Sequence, residues 1–293
     1  MLFFQYLING IAFGCIYALI AVSFVIIYRG TKVLNFAQGE FMVLGSYVSL
    51  IFLISFKVPF FIAILCAILI NALLGVLLEI SVLRKFIGES TFTVVMVTIG
   101  LASVFKGAIG LFFGHDIKNL ELPFKNITYE FGELMITTLQ LFTILTTGVV
   151  LIGLLLFYRY SKWGIAMRGS ASDQDTAQLM GISINHVNKL TWSISAVISV
   201  IAGIVLVSTS FLQPVQSHFA LKAFPALILG GLDSIPGAVI GGLILGIVES
   251  LSGGFLGPIL GGNIKDIVAY VLLLVILIFM PYGLFGTKEI ERV

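Results

Sequence analysis

The chain has 293 residues, of which 59% are hydrophobic and 10% charged, with a formal net charge of +2. That charge content is well under half of what a soluble domain carries. The apolar residues run unbroken for lengths that cross a bilayer, which excludes a soluble enzyme and a strand-alternating β-barrel. The cations are scattered among loops and form no patch, so nucleic acid is not an expected partner.

The first predicted span covers residues 4–28 and begins almost at once, without a basic region or cleavage site, so it reads as a span and not a removable signal. It carries Gly10-x-x-x-Gly14, spaced for close helix packing, then Tyr17-Ala-Leu19. Arg29 and Lys32 follow. Next come Asn35-Phe-Ala-Gln38-Gly-Glu40 and a second apolar run to about Phe56. Polar groups there are costly against lipid and are expected to face protein or water. A third span covers 59–83, with Glu79 read as an interfacial carboxylate beside Arg84 and Lys85. A fourth covers 92–113, with Lys106 inside it positioned to snorkel toward an interface. Residues 114–137 form a polar loop carrying Asp116, Glu121, Glu130 and Glu133 against Lys118 and Lys125, read as a small extracytoplasmic loop compatible with a hairpin. The fifth span covers 139–158.

Residues 159–190 are polar and carry their own stop and start signals. Ser172 reads as an N-cap, with Asp175 three residues on completing a capping box. Asp173 and Asp175 favour the first turn electrostatically, and Gly181 supplies a left-handed stop. The expectation is a two-turn helix over 173–180, partly apolar through Ala177, Leu179 and Met180, with a new helix starting near Ser183 or Asn185. Arg159, Lys162, Arg168 and Lys189 flank it. Such a helix between two spans is a natural handle for a soluble partner.

The sixth span covers 190–211. Leu221 to Gly237 is then an apolar segment broken by Gly230-Gly231, Asp233 and Pro236. Broken apolar segments are tolerated only where protein or a cavity satisfies the freed backbone, and in transporters they border the path. Gly237-x-x-x-Gly241 and Gly242-x-x-x-Gly246 continue as a close-packing ladder that is expected to end at Glu249. The last span covers 264–281, and Lys288 and Arg292 close the chain. The total is about eight transmembrane helices plus a broken half-helix in a single transmembrane domain over residues 1–293. Cys15 and Cys66 read as buried hydrophobes, and His115, His186 and His218 have no metal-ligand spacing. Loops on the Arg29, Arg84, Arg159–Lys189 and C-terminal side hold ten cations and the opposite loops five, which puts that side in the cytoplasm, with the N-terminus outside and the C-terminus inside.

Three stretches carry a resemblance to one family. Tyr17-Ala-Leu19, Tyr28 and Asn35 through Glu40 resemble the first two spans of the branched-chain amino acid ABC-transporter permeases, of the H type. Arg168-Gly-Ser-Ala-Ser172-Asp173-Gln-Asp175-Thr-Ala177-Gln-Leu179-Met180-Gly181-Ile182 resembles their coupling loop. Leu221-Lys222-Ala-Phe224 through Gly230-Gly231, with the glycines after it, resembles their C-terminal third. The resemblance implies an all-α importer permease in a bacterial inner membrane that carries branched-chain or other hydrophobic amino acids. It also implies a second related permease, two cytoplasmic ATPases, a periplasmic binding protein and lipid as partners. Related systems carry urea or short amides. The sequence holds no G-x-x-x-x-G-K-[ST] phosphate loop. No cofactor is therefore expected on this chain, and ATP and Mg are expected on the partner subunits. Arg168, Ser172, Asp173, Asp175, Ala177, Leu179, Met180 and Gly181 are the expected coupling residues. Asn35, Gln38, Glu40, Gly230, Gly231 and Asp233 are expected to line or border the path. The competing class is a stand-alone channel or ion-coupled carrier, for which Glu40, Lys106 and Glu249 are the charges to consider.

Overall fold

The computed structural model describes residues 2–120, 122–132, 134–261, 264–280 and 282–286. Helices α1 (Leu2–Thr31), α2 (Gln38–Ile54), α3 (Phe60–Ser81) and α4 (Thr91–Phe113) lead to a β-hairpin, β1 (Thr128–Phe131) and β2 (Leu134–Thr137). Then follow α5 (Thr138–Tyr160), α6 (Lys162–Ser172), α7 (Gln174–Leu179) and α8 (Ile184–Thr209). The rest comprises α9 (His218–Lys222), α10 (Phe224–Gly230), α11 (Ile235–Phe255), α12 (Gly257–Leu260) and α13 (Ile264–Phe279). Six of these are long and apolar enough to cross a membrane: α1, α3 with its 3-10 extension, α4, α5, α8 and α11. The shorter α2 and α13 fall at the remaining two predicted spans, and α10 is the half-helix. The chain is an all-α polytopic membrane protein. Glu121, Glu133, Pro281, Lys288 and Arg292 lie outside the described residues.

Burial separates two kinds of helix. Nine-tenths of the apolar window of α1 and almost three-quarters of that of α8 are enclosed by protein, against about a fifth for α3, α4 and α5. On α3 the exposed Phe61, Leu65, Leu69, Leu73 and Leu77 recur every four residues and form one apolar stripe suited to lipid.

The chain forms two compact units. One comprises residues 1–25, 124–147 and 219–293. Here α1 and α11 run close together because each lacks side chains at the crossing. A Cβ on Gly10 or Gly14 would strike the backbone at Ile247 or Leu243 at 2.7 and 2.8 Å. Gly242 and Gly246 lie in turn against Ala18 and Gly14. The other α11 pair, Gly237 and Gly241, serves a different neighbour, α10, at Gly230 and Ala226. The two overlapping small-residue motifs thus split between two partners. The helix also runs past Glu249 to Phe255, so the expected stop at Glu249 is corrected: no glycine with positive φ or proline follows that carboxylate within the helix to break it.

The second unit comprises residues 26–123 and 148–218. Its axis is α8. Gly45 on α2 meets Val200, Gly203 on α8 meets the Met42 carbonyl, and Gly75 on α3 meets the Trp192 carbonyl. Trp192 and Ala196 close a core with Ile27, Phe41, Leu83 and Val94. Glu79 is paired with Arg84 through two bonds, Nε to Oε1 at 3.1 Å and Nη2 to Oε2 at 2.7 Å, as its position near the cations led one to expect.

Candidate functional site

The segment between α5 and α8 builds its own order. The Ser161 hydroxyl accepts from the Trp163 amide at 3.2 Å and starts α6. Gly164 lets α6 fold back against the backbone of Phe157 and Tyr158, and Arg168 donates to the Tyr158 carbonyl. The expectation of one short helix in this stretch, over 173–180, is therefore corrected: residues 162–172 are themselves helical. Ser172 is the last residue of α6, and Asp173 is the N-cap of α7. Asp173 takes extended backbone, its Oδ1 accepts from the amides of Asp175 at 2.9 Å and Thr176 at 3.0 Å, and its Oδ2 accepts from the Thr176 hydroxyl at 2.9 Å. Ser172 cannot cap α7 because its backbone is still committed to α6. The Thr176 amide and hydroxyl, with the Asp175 amide, hold the Asp173 carboxyl below the usual carboxylate range.

The stop at Gly181 is present. Its φ is +83°, the Gly181 amide bonds the Gln178 carbonyl at 2.9 Å, and the Ile182 amide bonds that of Ala177 at 2.9 Å. That bonding pattern is a Schellman cap. Ser183 then precedes α8, as expected. Ala177 is buried, whereas Leu179 and Met180 are 87% and 81% exposed at the tip. Gln174 Nε2 donates to the Gly30 carbonyl at 3.3 Å, and Gly30 packs against Thr191 on α8. Gln174 was not singled out in the sequence, where one glutamine among polar neighbours carries no signal.

The polar residues of the first two spans form a buried network. Asn35 and Gln38 are almost fully enclosed. Asn35 Nδ2 donates to Gln38 Oε1 at 2.8 Å, and Asn35 Oδ1 accepts from the Ala37 amide at 3.0 Å. Gln38 Nε2 donates to Ser195 Oγ at 2.8 Å and to Ser199 Oγ. The two serines lie four apart on one face of α8, a spacing of polar residues in an apolar helix that can be read from sequence and was passed over. Glu40 is also buried, beside Ser217 and Lys106, and Lys106 Nζ lies 3.3 Å from His218 Nε2.

The remaining path candidates belong to the other unit. The missing side chains of Gly230 and Gly231 make room for the backbones of Gly237 and Gly286. The turn at 284–285 satisfies the end of α10, since the Leu284 and Phe285 amides bond the carbonyls of Leu229 at 2.7 Å and Gly230 at 3.2 Å. The broken segment is thus closed by protein, as buried irregular backbone requires. Asp233 lies in the turn between α10 and α11.

A family model described as the permease component of the branched-chain amino acid transport system matches residues 6–278. The chain is 32% identical to the high-affinity branched-chain amino acid transport system permease protein BraD of Pseudomonas aeruginosa, over 99% of this chain and 98% of that one. It is 33% identical to the permease LivH of Escherichia coli K12 with the same coverage. A probable branched-chain amino acid permease of Methanocaldococcus jannaschii is 26% identical over 97% of this chain and 93% of that protein. The fold is similar to a chain of the PsaBC complex of Streptococcus pneumoniae solved with a Fab, at a TM-score of 0.51 and 15% identity, covering 95% of this chain and 91% of the other.

Proposed function

The chain belongs to the family of branched-chain amino acid transport permeases, and on that premise we propose that it is the membrane-spanning permease subunit of an ABC importer for leucine, isoleucine and valine. The carrying observation is the family match over residues 6–278 together with the end of α7 and its cap, where Leu179 and Met180 are exposed to solvent. Partner ATPases dock on α6 and α7, with Arg168, Asp173, Asp175, Ala177, Leu179, Met180 and Gly181 shaping the contact. Leu179 and Met180 insert into the ATPase surface, since an exposed apolar pair on an otherwise polar segment is a binding feature. ATP binding on the partners displaces α7. The Gln174 bond to Gly30 and the Gly30–Thr191 contact carry that displacement to the end of α1 and the first turns of α8, and the permease alternates between outward and inward states.

A second permease subunit, two ATPases and a periplasmic binding protein complete the complex in a bacterial inner membrane. The cation bias supports an orientation with the N-terminus outside and the coupling segment in the cytoplasm. Asn35, Gln38 and Glu40 border the path in one unit, and Gly230, Gly231 and Asp233 in the other. The test is uptake of radiolabelled leucine, isoleucine and valine into proteoliposomes. The complete complex takes them up with ATP inside and loaded binding protein outside, and this chain alone does not under a proton or sodium gradient. Gradient-driven accumulation by the isolated chain would replace this reading with an ion-coupled carrier.

A further inference from the structure

A cavity of about 480 Å³ opens within the unit formed by 1–25, 124–147 and 219–293. That volume falls in the range of small-molecule sites, roughly 300–1,000 Å³. Its wall follows α1 from Tyr6 to Tyr17, about 17 Å of helix at 1.5 Å per residue. Across from α1 lie α11, carrying Glu249, and the start of α13, carrying Lys265 and Asp266. Opposite charges therefore face one cavity beside apolar helices.

These charges are not all satisfied internally. Lys222 Nζ is paired with Asp266 Oδ1 at 2.6 Å. Among the described residues, neither Glu249 nor Lys265 has an ion-pair partner within 4 Å. The Glu249 carboxyl lies near the hydroxyl of Tyr17, itself 3% exposed, and feels the charges of Lys222 and Lys265. A carboxylate and an ammonium kept apart across a cavity at a membrane helix call for a partner with both signs. The surrounding helix is shaped to hold them so. The stem of Lys265 lies on Gly253 and the ring of Tyr6 on Gly254, where a Cβ would reach Lys265 Cγ at 2.7 Å and the Tyr6 ring at 2.5 Å. Phe13 and Phe219 supply apolar wall.

We propose that this cavity binds the zwitterionic head of a transported amino acid, with Glu249 receiving its α-ammonium, Lys265 its α-carboxylate, and Phe13 and Phe219 contacting its aliphatic side chain. The assignment rests on the amino acid reading of the importer. A zwitterionic lipid headgroup offers the same pair of charges on a phosphate, and the test separates the two.

In the complete complex, with Cys15→Ala and Cys66→Ala as background, Ser250→Cys places a thiol in the cavity wall. Its labelling by a small charged methanethiosulfonate is followed with and without leucine. Leucine is expected to slow labelling several-fold and urea is not. Glu249→Gln and Lys265→Met are each expected to abolish that protection and to lower leucine uptake roughly tenfold or more, the effect of losing a hydrogen bond to a charged group. Receptor-stimulated ATP hydrolysis should persist in both, which shows that the complex is assembled. Wild-type leucine uptake with Ser250→Cys labelling indifferent to leucine would overturn the proposal. So would wild-type uptake in both charge variants. Protection by phosphatidylethanolamine and not by leucine would overturn it in favour of a lipid site. Absence of any branched-chain amino acid uptake by the wild-type complex would instead refute the functional reading, and the ligand assignment would fall with it.

Discussion

Replacing Gly181 tests whether α7 is a mechanical part or a mere loop. The residue has φ of +83°, and a Cβ built on it meets nothing within 4 Å. A substitution there is penalised by backbone conformation alone, with no clash. For alanine or valine the cost is about 1–2 kcal/mol, for asparagine less, because its side chain tolerates the left-handed region. Six residues are too few to persist as an isolated helix. What maintains α7 is its caps, Asp173 at one end and the two amide bonds of Gly181 and Ile182 at the other. One to two kcal/mol changes an equilibrium by a factor of roughly 5–30, enough to unseat a marginal element. The spans are untouched, so membrane insertion should be normal. Leucine uptake per ATP hydrolysed, measured in proteoliposomes of the complete complex, should fall in the order glycine, asparagine, alanine, valine. Wild-type coupling in Gly181→Val would refute the role given to this segment. Equal loss in asparagine and valine would refute the backbone explanation.

At the other end of α7, Ser172→Ala should leave coupling unchanged, Asp173→Asn should retain most of it and Asp173→Ala should lower it, measured by the same ratio, since the capping oxygens belong to Asp173. Because the folded Asp173 carboxyl titrates below its usual value of 3.8, its contribution is present above that value and lost only as pH falls through the lower one; the cap should therefore add no pH dependence to coupling between about pH 6 and 8. Gln38→Leu removes the donor that Ser195 and Ser199 share and leaves the Asn35 amide without its acceptor, costing about 1–3 kcal/mol; the purified protein should melt earlier in detergent, and an unchanged melt would show the network to be satisfied by water. Gly246→Leu drives a side chain into the backbone of Gly14 and should also lower the melting temperature, whereas Gly148→Leu, at a position with open space, should not.

The spans were legible because unbroken apolar runs need no knowledge of partners. The Gly181 stop and the Glu79–Arg84 pair were legible for the same reason: their causes lie within a few residues. Where two local signals competed, reading failed. Ser172 and Asp173 are both good caps, and the choice between them is made by α6, which was not foreseen because Gly164 and Gly169 weaken its helical pattern. Glycine spacing announced close approach but not to what. Gly242 and Gly241 are adjacent in sequence, yet one meets Ala18 and the other Ala226. Likewise the α8 partners of Gln38 lie 157 and 161 residues away, a distance over which local chemistry carries no information.

The same contrast explains why the segment between α5 and α8 and the bundle are built differently. Between helices in lipid there is little hydrophobic drive, because lipid tails are as apolar as leucine. Association rests on close backbone contact and on polar groups that have no better partner. Unit by unit the chain uses both devices, glycines at Gly14, Gly45, Gly75, Gly203 and Gly246, and the Gln38 bonds to α8. Such contacts tolerate little displacement, so they hold each unit in one arrangement. The segment from Lys162 to Ile182 takes its order from local bonds at Ser161, Asp173 and Gly181, and most of α7 remains exposed. An element ordered by its own caps can shift with a docked partner without dismantling a core. It pulls on the bundle only where it is tied, and among the described residues the Gln174 bond to Gly30 is such a tie. In the proposed mechanism, force applied at Leu179 and Met180 reaches the end of α1 and, through Gly30 against Thr191, the first turns of α8, about one and two turns before the two serines that hold Gln38.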